Sequence, residues 1–414
     1  MSELYDIFRR HPRISTDTRR IEPGSVFFAL HGATFDGNRF AADALSKGAA
    51  YAVVDDPAAV SGDRTVLVGD TLEALQELAR EYRRELAIPI LAISGSNGKT
   101  TTKELVSRVL AERFEVYATH GNLNNHIGVP LTLLAMTRDT EFGVVEMGAS
   151  ACGEIALLAS IAEPNYGILT NIGRAHLEGF GGPEGIRRGK GELLDYLAAN
   201  GGRAFVPRED QTLTNMAAER DGLAAEYYSV TLADGIAHHL EGDYNRFNIA
   251  AAVAVGRYFD IDGERIRHAV GSYMPDNNRS QRTETERNTL IVDCYNANPS
   301  SMRASVLNFL AEPAGGRSRR VLILGDMLEL GDWSEREHAA IIEMAAQAPE
   351  AELLLVGPEF AKAYDGLAEK PANVTLCPTR DDLISLLKVS PVEHSLVLVK
   401  GSHGMGLEQA LEAL

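Results

Sequence analysis

Apolar and polar positions alternate along the chain in blocks that predict three successive α/β segments. In the first segment, short apolar runs that are typical of strands lie at Ser25–Leu30, Tyr51–Val54 and Arg64–Val68. Helical spacing is found in Phe40–Lys47 and in Thr71–Leu86, a charged amphipathic stretch that indicates a connecting helix. We therefore expect a small α/β N-terminal domain over residues 1–85.

The second segment begins at Ile88, where the predicted strands become apolar on both faces. Helix-length stretches separate these strands, which lie at Ile88–Ile93, Phe142–Val145 and Tyr166–Leu169. Strands of this kind belong to a parallel sheet that helices cover on both faces. The pattern therefore predicts a central parallel-sheet domain over residues 86–277.

A second junction, Tyr273–Arg282, is rich in Asn and Arg, and Asn277–Arg282 within it is a candidate hinge. The strands that follow are predicted at Leu290–Asp293, Val321–Leu324, Glu352–Val356 and Ser395–Val399. They alternate with helices, which predicts a Rossmann-like α/β domain over residues 278–414. Ligands of open α/β sheets collect beyond the carboxyl ends of the strands, and the segments there are Cys294–Asn298, Gly325–Gly331 and Lys400–His403.

Composition and charge narrow the classes of partner. The 414 residues are 45% hydrophobic and 24% charged, with a formal net charge of -18. Such a negative chain argues against binding of nucleic acid or anionic membranes, because both require a basic surface. The sequence has no apolar run of the roughly 18 residues that a membrane span needs, and its start lacks the apolar core of a signal peptide. We therefore expect a cytoplasmic protein that acts as a monomer.

The three cysteines, Cys152, Cys294 and Cys377, are far apart in the sequence. They form no Cys-x-x-Cys pair, so neither a disulfide framework nor a thiolate metal site is expected.

The turn after the first central strand, Ser94 to Thr101, has the composition of a phosphate-binding loop. Ile93 stands where the common P-loop has its first Gly, yet Gly-Lys-Thr-Thr follows at the start of a predicted helix. Glycines let backbone N–H groups face an anion, and the helix N-terminus adds partial positive charge. Lys99 and Thr100 are the residue types that contact terminal phosphates and Mg²⁺. We therefore expect a P-loop ATPase-like central domain, whereas a glycine-rich turn with an exposed lysine explains this composition poorly.

Three further residues could belong to a metal site, but local sequence leaves other interpretations open. Glu146 follows the next strand, where it is either a metal ligand or a solvated carboxylate. His176 lies in a glycine-rich loop and on its own is better interpreted as a surface histidine. Lys190 stands beside Arg187 and Arg188, which favours a solvated basic turn.

Taken together, these segments resemble the Mur ligases, the ATP-dependent amino-acid and peptide ligases of peptidoglycan precursor synthesis. That family has the short loop Gly-x-x-Gly-Lys-Thr-Thr, which Gly95 to Thr101 matches with Ser96 in the place usually held by Thr. Other matching segments extend over all three predicted domains. They are STDTRRIEPGSVFFALHGATFDGNRF, GNLNNHIGVPLTLL, VVEMGA, NIGRAHLEGFG, KGELL, NRFNIAAA, VDCYNANPSSM, GDMLELG and VLVKGS.

The resemblance implies an ATP site with two Mg²⁺ ions. The ATP phosphates would be held by Gly95, Ser96, Asn97, Gly98, Lys99, Thr100 and Thr101. The metal ligands would be Thr100, Glu146, His176 and Lys190, the last as a carbamate. Lys99, Glu146, His176 and Lys190 would then form the catalytic set, and this reverses the interpretation of Lys190 from local sequence.

The rest of the nucleotide would contact residues from two domains. Asn245 and Asn248 match the family's asparagine motif near the adenine, with Tyr244 where a His often stands. Arg279 and Asp293 match residues of the last domain that face the nucleotide once the domains close.

The resemblance also implies a substrate site at each end of the chain. The first domain would hold a UDP-sugar through Ser15–Arg19 and His31–Asn38, including Ser15, Asp17, Thr18, Arg19, Asp36 and Asn38. Asn124 and Asn125 belong to a matching central segment. The incoming dipeptide would meet Tyr295, Asn296, Asn298, Asp326 and Lys400.

Within the family, the segments are most similar to members that add D-alanyl-D-alanine to UDP-N-acetylmuramoyl-tripeptide through an acyl phosphate. GDMLELG is present, and the Asp-Asn-Pro-Arg motif of members that add diaminopimelate is absent. Two alternatives remain open: a sister ligase, which adds the third amino acid or extends folyl polyglutamate, and a P-loop protein that uses nucleotide only as a switch.

Overall fold

The computed structural model describes residues 3–32, 34–275, 279, 281–313 and 316–414. The described residues form three sheets, one within each segment predicted from the sequence. None of the described helices is both long and apolar enough to cross a membrane. The hinge predicted at Asn277–Arg282 and the boundary predicted between residues 277 and 278 fall partly on Asn277, Asn278 and Ser280, which lie outside the described residues.

The first sheet is small and parallel, with its strands side by side in sequence order. Its strands are β1 (Ile14–Ser15), β2 (Val26–Phe28), β3 (Tyr51–Val54) and β4 (Thr65–Leu67). Its helices are α1 (Glu3–Arg10), α2 (Ala41–Ser46) and α3 (Thr71–Leu86). The carboxylate of Asp70 accepts from the backbone N–H of Glu73 and so caps the start of α3.

The central sheet is parallel throughout, in the order β10-β9-β8-β5-β7-β6. Its strands are β5 (Ile90–Ser94), β6 (Val116–Ala118), β7 (Phe142–Glu146), β8 (Tyr166–Leu169), β9 (Arg203–Pro207) and β10 (Ala224–Tyr228). The helices of this region are α4 (Lys99–Ala111), α5 (Gly128–Leu134), α6 (Glu154–Ala162), α7 (Leu177–Phe180), α8 (Pro183–Ala199), α9 (Gln211–Ala218), α10 (Asn245–Tyr258) and α11 (Gly263–Gly271).

Side chains of β5 alternate between two buried faces, because successive residues of a strand point in opposite directions. Ile90 and Ala92 belong to a core shared with α3, α5, α6 and α8. Leu91 and Ile93 belong to a second core with α4, α10 and α11. Helices therefore cover both faces of the central sheet, as the apolar strands predicted.

The third sheet has the order β11-β12-β16-β13-β14-β15 and is parallel except for β11. Its strands are β11 (Gln281–Glu284), β12 (Thr289–Asp293), β13 (Arg319–Gly325), β14 (Ala351–Val356), β15 (Val374–Cys377) and β16 (Ser395–Lys400). Its helices are α12 (Pro299–Ala311), α13 (Ser334–Ala345), α14 (Pro358–Asp365) and α15 (Arg380–Val389). The three-part α/β architecture predicted from the sequence is thus confirmed.

The predicted strands agree with the structure to within a few residues, and five of the six omissions have a common cause. Strand β5 begins at Ile90 rather than Ile88. Five strands outside the predictions lie at the sheet edges or next to them: β1, β6, β10, β11 and β15. They are short or only partly buried, so they lack the continuous apolar run on which the predictions relied. Strand β9, an interior strand, was also missed.

Helix α3 joins the first two domains through buried polar contacts. Tyr82 donates to the carbonyl of Met136 at 2.8 Å. Arg83 is buried, with Nε donating to Ala162 O at 2.9 Å and Nη2 donating to Glu163 O at 3.1 Å. The helix predicted as a connector is therefore a shared core element that fixes the first sheet against the central one.

Arg83→Met should lower the free energy of unfolding by about 3 kcal/mol, because it leaves buried carbonyl oxygens without a charged donor. Thermal and urea unfolding of the purified protein measure this change. The matched control is Arg84→Met, which removes an exposed ion pair with Glu163 and should cost less than about 1 kcal/mol. Equal effects of the two substitutions would contradict an anchoring role for Arg83.

Candidate functional site

One cavity of about 840 Å³ lies where carboxyl ends of central strands face those of the third sheet. Its lining includes most of the residues proposed for nucleotide and metal. They are Ser96, Asn97, Gly98, Lys99, Thr100, Thr101, Glu146, His176, Asn245, Asn248, Arg279 and Asp293. Candidate substrate residues also line it: Asn124, Asn125, Tyr295, Asn296, Asn298 and Lys400. The structure thus brings residues from two domains to one space.

The loop between β5 and α4 requires glycine at two positions. Gly95 has φ 135° and Gly98 has φ 77°, both in the region that side chains disfavour. A Cβ on Gly98 would lie 2.7 Å from Oδ1 of Asn248, and one on Gly95 would lie 2.1 Å from Oγ1 of Thr170. The loop leads into α4, whose first N–H groups have no partner within the helix. This arrangement can hold a phosphate group at the helix N-terminus.

The loop is fixed to the end of β8 by hydrogen bonds of Ser96 and Asn97. The N–H of Ser96 donates to Asn171 O at 3.0 Å, and its hydroxyl accepts from the N–H of Gly173 at 2.9 Å. The Asn171 side chain accepts from the N–H of Asn97 at 3.1 Å and donates to the carbonyl of Asn97 at 3.0 Å. Ser96 is therefore used to hold the loop in shape.

Lys99 is folded back onto its own loop. Its Nζ donates to the carbonyls of Gly95 at 2.9 Å and Ser96 at 3.2 Å. Burial lowers the pKa of Lys99, Glu146 opposes that shift, and Arg279 adds to it. An ammonium that only carbonyl dipoles neutralise is suited to receive the charge of a phosphoryl group.

Glu146 ends β7 as a buried carboxylate that is only half satisfied. Its Oε1 accepts from Nδ2 of Asn124 at 2.8 Å, and its N–H donates to the hydroxyl of Thr119 at 3.0 Å. Among the described residues, Oε2 has no hydrogen-bond partner although it is buried. A buried orphan carboxylate oxygen fits a divalent cation, whose preferred ligands are oxygens.

His176 contacts the third domain rather than standing as a surface histidine. Its Nδ1 pairs with the Glu329 carboxylate, and its backbone has φ 55°. Burial lowers the pKa of His176, and Glu329 opposes that shift. With Nδ1 held by a carboxylate, Nε2 is the nitrogen that remains to bind a metal.

Lys190 is buried, so its interpretation from local sequence as a solvated basic turn is wrong. Its side chain is among the largest fully buried ones, and Nζ donates to the carbonyl of Ala149 at 2.9 Å. The Phe180 ring lies 5.1 Å from the same nitrogen. Burial, with a smaller effect of Lys99, lowers the pKa of Lys190 to about 7. Much of this lysine is therefore a neutral amine at physiological pH.

Asn245 and Asn248 lie beside the loop at the start of α10. Nδ2 of Asn248 donates to Oδ1 of Asn245 at 2.8 Å, and the Thr102 hydroxyl donates to Oδ1 of Asn248 at 3.0 Å. The pair therefore links α10 to the helix that follows the phosphate loop.

The third domain contributes a charged pair and a stacked arginine. Nζ of Lys400 lies 2.6 Å from Oδ2 of Asp293, and both side chains are largely buried. The Arg279 guanidinium carbon lies 3.7 Å from the ring centroid of Tyr295, and its buried Nε has no hydrogen-bond partner among the described residues. A cation with a free donor at this place fits an anionic ligand.

Asp326 is not brought to the cavity. It is 1% exposed, and its carboxylate accepts from the backbone N–H groups of Glu359 and Phe360 at 3.0 and 2.9 Å. A Cβ on Gly357 would also lie 2.3 Å from its Oδ2. Asp326 therefore holds the start of α14 beneath the site, where it supports the loop that carries Glu329.

The candidate residues of the first domain also lie outside the cavity lining, in two local networks. Asp17 pairs with Arg19 at 2.8 Å, which lowers the pKa of Asp17 to about 2, and the Ser15 hydroxyl donates to the Asp17 carbonyl. Nδ2 of Asn38 donates to Oδ1 of Asp55 at 2.8 Å and contacts His31 and Asp36. Burial by itself raises the pKa of Asp55. Hydrogen bonds from Asn38, His31 and Thr71 outweigh that effect and lower this pKa to about 2. Thr18 starts the turn that Asp17 caps.

Two of the three residues that sequence reasoning missed connect domains. Glu329 was present in the quoted segment GDMLELG and Arg174 in NIGRAHLEGFG, but neither received a role, because their partners lie far away in the sequence. Asp55 stood in no quoted segment, and its partners lie within the first domain. Only the folded chain brings such pairs together.

Three sequence-family models match the chain in order. They are described as the catalytic domain of the Mur ligase family over residues 12–83, the Mur ligase middle domain over 93–236 and the Mur ligase glutamate ligase domain over 278–403. The UDP-N-acetylmuramoyl-tripeptide–D-alanyl-D-alanine ligase of Bacillus subtilis (strain 168) is 34% identical, with 97% of this chain and 92% of the relative covered.

Solved structures agree with these matches. The MurF crystal structure from Acinetobacter baumannii has a TM-score of 0.85 at 29% identity, covering 97% of this chain and 92% of that one. The MurF ligase from Thermotoga maritima in complex with ADP also has a TM-score of 0.85, at 25% identity, covering 100% and 98%.

Gly98→Ala should weaken binding of ATP by about tenfold or more, since a side chain at this φ costs roughly 1–2 kcal/mol and would clash with Asn248. Isothermal titration with the magnesium salt of ATP measures the affinity. Gly201→Ala is the control, because Gly201 has φ 68° but open space around it. If both variants bind ATP like the original protein, the loop does not hold the phosphates.

Proposed function

The chain belongs to the Mur ligase family, and we propose that it joins D-alanyl-D-alanine to UDP-N-acetylmuramoyl-tripeptide, converting ATP to ADP and phosphate. This proposed activity is the one that the sequence resemblance implies. The observation that carries the proposal is the single cavity lined by the phosphate loop on one side and by the polar edge of the third sheet on the other. Candidate residues for the nucleotide and for the incoming dipeptide both line this cavity.

The first step is transfer of the ATP γ-phosphoryl group to the terminal carboxylate of the tripeptide. The N–H groups at the start of α4 and the ammonium of Lys99 stabilise negative charge on the transferring group. Lys99 is held beside the loop carbonyls, so it can reach the phosphate with little rearrangement. Arg279, stacked on Tyr295, supplies a second cation from the third domain.

The orphan oxygen of Glu146 supports binding of magnesium, for which two ions are proposed. Thr100 and Glu146 would hold one ion and His176 the second, and a carbamate of Lys190 would add a further ligand. When bound, Mg²⁺ supplies charge neutralisation and orients phosphate oxygens. A carbamate on Lys190 would turn a buried amine into an anionic oxygen ligand, which Lys99 would attract rather than repel. Asn124 fixes the Glu146 carboxylate through Oε1 and leaves Oε2 for the ion.

The second step is attack of the dipeptide amine on the acyl phosphate, which forms the amide and releases phosphate. Tyr295, Asn296 and Asn298 line the third-domain side of the cavity and orient the dipeptide. Lys400 neutralises Asp293, so the pair holds the end of β12 in place. The two domains exclude water from the cavity, which protects the acyl phosphate from hydrolysis.

The first domain binds the UDP-sugar end of the tripeptide substrate. Asp17 orients the Arg19 guanidinium, an anion-binding group with high exposure. Asp55 organises Asn38 and His31 on the same sheet edge. ATP is a nucleotide and the tripeptide substrate is linked to one, so the reaction belongs in the cytoplasm.

The test of the activity is mass spectrometry of products after incubation with ATP, Mg²⁺, D-alanyl-D-alanine and UDP-N-acetylmuramoyl-tripeptides containing diaminopimelate or lysine. We expect pentapeptide product and amine-dependent phosphate release, and loss of both in Lys99→Ala with the fold retained. Ligation of single amino acids instead would indicate a sister ligase. Slow ATP hydrolysis without any peptide product would indicate a nucleotide switch.

Lys190 should form a carbamate in ¹³C-bicarbonate buffer, because only a neutral amine reacts with CO₂ and the pKa of Lys190 is lowered to about 7. The amine is protonated as pH falls through that value, so the carbamate signal should be present at pH 8 and lost below about pH 6. Carbon NMR measures the signal. Lys190→Met is the control, and a signal that persists in it would assign the carbamate elsewhere.

A further inference from the structure

Arg174 lies between the central and third domains and is not among the residues that line the cavity. It follows β8 in the loop that leads to α7, two residues before His176. Its backbone N–H donates to the Ser300 hydroxyl at the start of α12 at 2.8 Å. The main chain at Arg174 therefore already touches the third domain.

The Arg174 side chain contacts the same domain through charge and through an aromatic ring. Its Nη2 lies 2.6 Å from Oε1 of Glu337, whose side chain is 10% exposed. The contact is an ion pair, and neither Nη2 nor Nε of Arg174 has a hydrogen-bond partner among the described residues. The guanidinium carbon lies 5.4 Å from the Trp333 ring centroid. A charge pair with one largely buried member is coupled more strongly than a surface pair.

Two neighbouring contacts between these domains are polar. Asn298 donates to Oδ1 of Asn97 at 2.7 Å, and His176 pairs with Glu329. Those residues line the cavity, so ligands compete with their contacts. Arg174 and Glu337 lie outside the cavity lining and can keep their contact while substrates enter and react.

We propose that Arg174 is a positioning residue that keeps the third domain docked on the phosphate-loop side of the central domain. The proposal rests on the ligase activity above, because docking matters when groups held by two domains must meet. Arg174 touches neither ATP nor peptide; it acts through Glu337 and Trp333. Without the ion pair, the docked form is less populated, and the apparent affinity for the dipeptide falls by the same factor.

Trp333 offers a reporter of docking that is independent of activity. It is the single tryptophan of the chain. Its ring is half-buried against the central domain, since a Cβ on Gly182 would lie 3.6 Å from its Cζ2. Separation of the domains would expose the indole to water and shift its emission to longer wavelength.

The experiment compares Arg174→Met, Glu337→Gln, their double variant and Arg174→Lys in the full chain. Arg174→Met and Glu337→Gln should each raise KM for D-alanyl-D-alanine by about tenfold, with kcat changed much less. Each should also release more ADP than peptide product, because water reaches the acyl phosphate. The double variant should be no worse than either single one, and Arg174→Lys should restore part of the affinity.

Tryptophan fluorescence supplies the second measurement. Both single variants should show red-shifted emission of Trp333. Glu337→Gln should do so even though it leaves the two cations near the indole ring, Arg174 and Arg336, unchanged. The control is Arg336→Met, which removes a cation 5.8 Å from the same ring but lies within the third domain. It should change neither KM nor the ratio of ADP to product.

The proposal is overturned if Arg174→Met behaves like Arg336→Met, or if the effects of Arg174→Met and Glu337→Gln add in the double variant. Failure of the proposed function looks different: the unaltered protein would form no pentapeptide, and the fluorescence comparison would still report docking. Circular dichroism of each variant separates loss of docking from loss of fold.

Discussion

The chain of hydrogen bonds through Asn97 is the interaction on which the site depends. Asn171 at the end of β8 fixes the backbone of Asn97, and the Asn97 side chain accepts from Asn298 at the start of α12. One residue of the phosphate loop is thereby bonded to both domains, through its backbone to the end of β8 and through its side chain to the start of α12. The shape of the loop, the edge of the central sheet and the place of the third domain are consequently set together.

Local electrostatics, rather than the overall charge, prepares the cavity for phosphate. The chain carries a net charge of -18, yet Lys99, Arg279 and the start of α4 gather positive charge at one place. Burial leaves Lys99 and Lys190 with lowered pKa values, while Glu146 retains an oxygen without a partner. Burying these charged groups without partners costs free energy. An anionic substrate beside the lysines and a metal cation beside Glu146 would offset that cost.

Sequence reasoning succeeded where a property is local and failed where it depends on distant partners. The interior strands β5, β7 and β8 and the glycine loop were predictable, because apolar runs and positive-φ glycines leave a mark in adjacent residues. Lys190 was not, since three basic residues within four positions resemble a solvated turn until α8 is packed against α6 and Phe180. Resemblance to the family suggested a carbamate at this lysine, and the structure supplies the burial that such a role requires. Arg174 received no role although it stood in the segment NIGRAHLEGFG, because its partner Glu337 is remote in sequence.

The buried contacts of α3 have a consequence for substrate selection. Tyr82 and Arg83 bond α3 to the central domain, so the first sheet and the phosphate loop are held together independently of the third domain. These contacts oppose changes in the distance between them. In the proposed reaction this distance selects the length of the peptide. A peptide whose UDP-sugar end is bound by the first domain presents its terminal carboxylate to the phosphate loop only when it has the right number of residues.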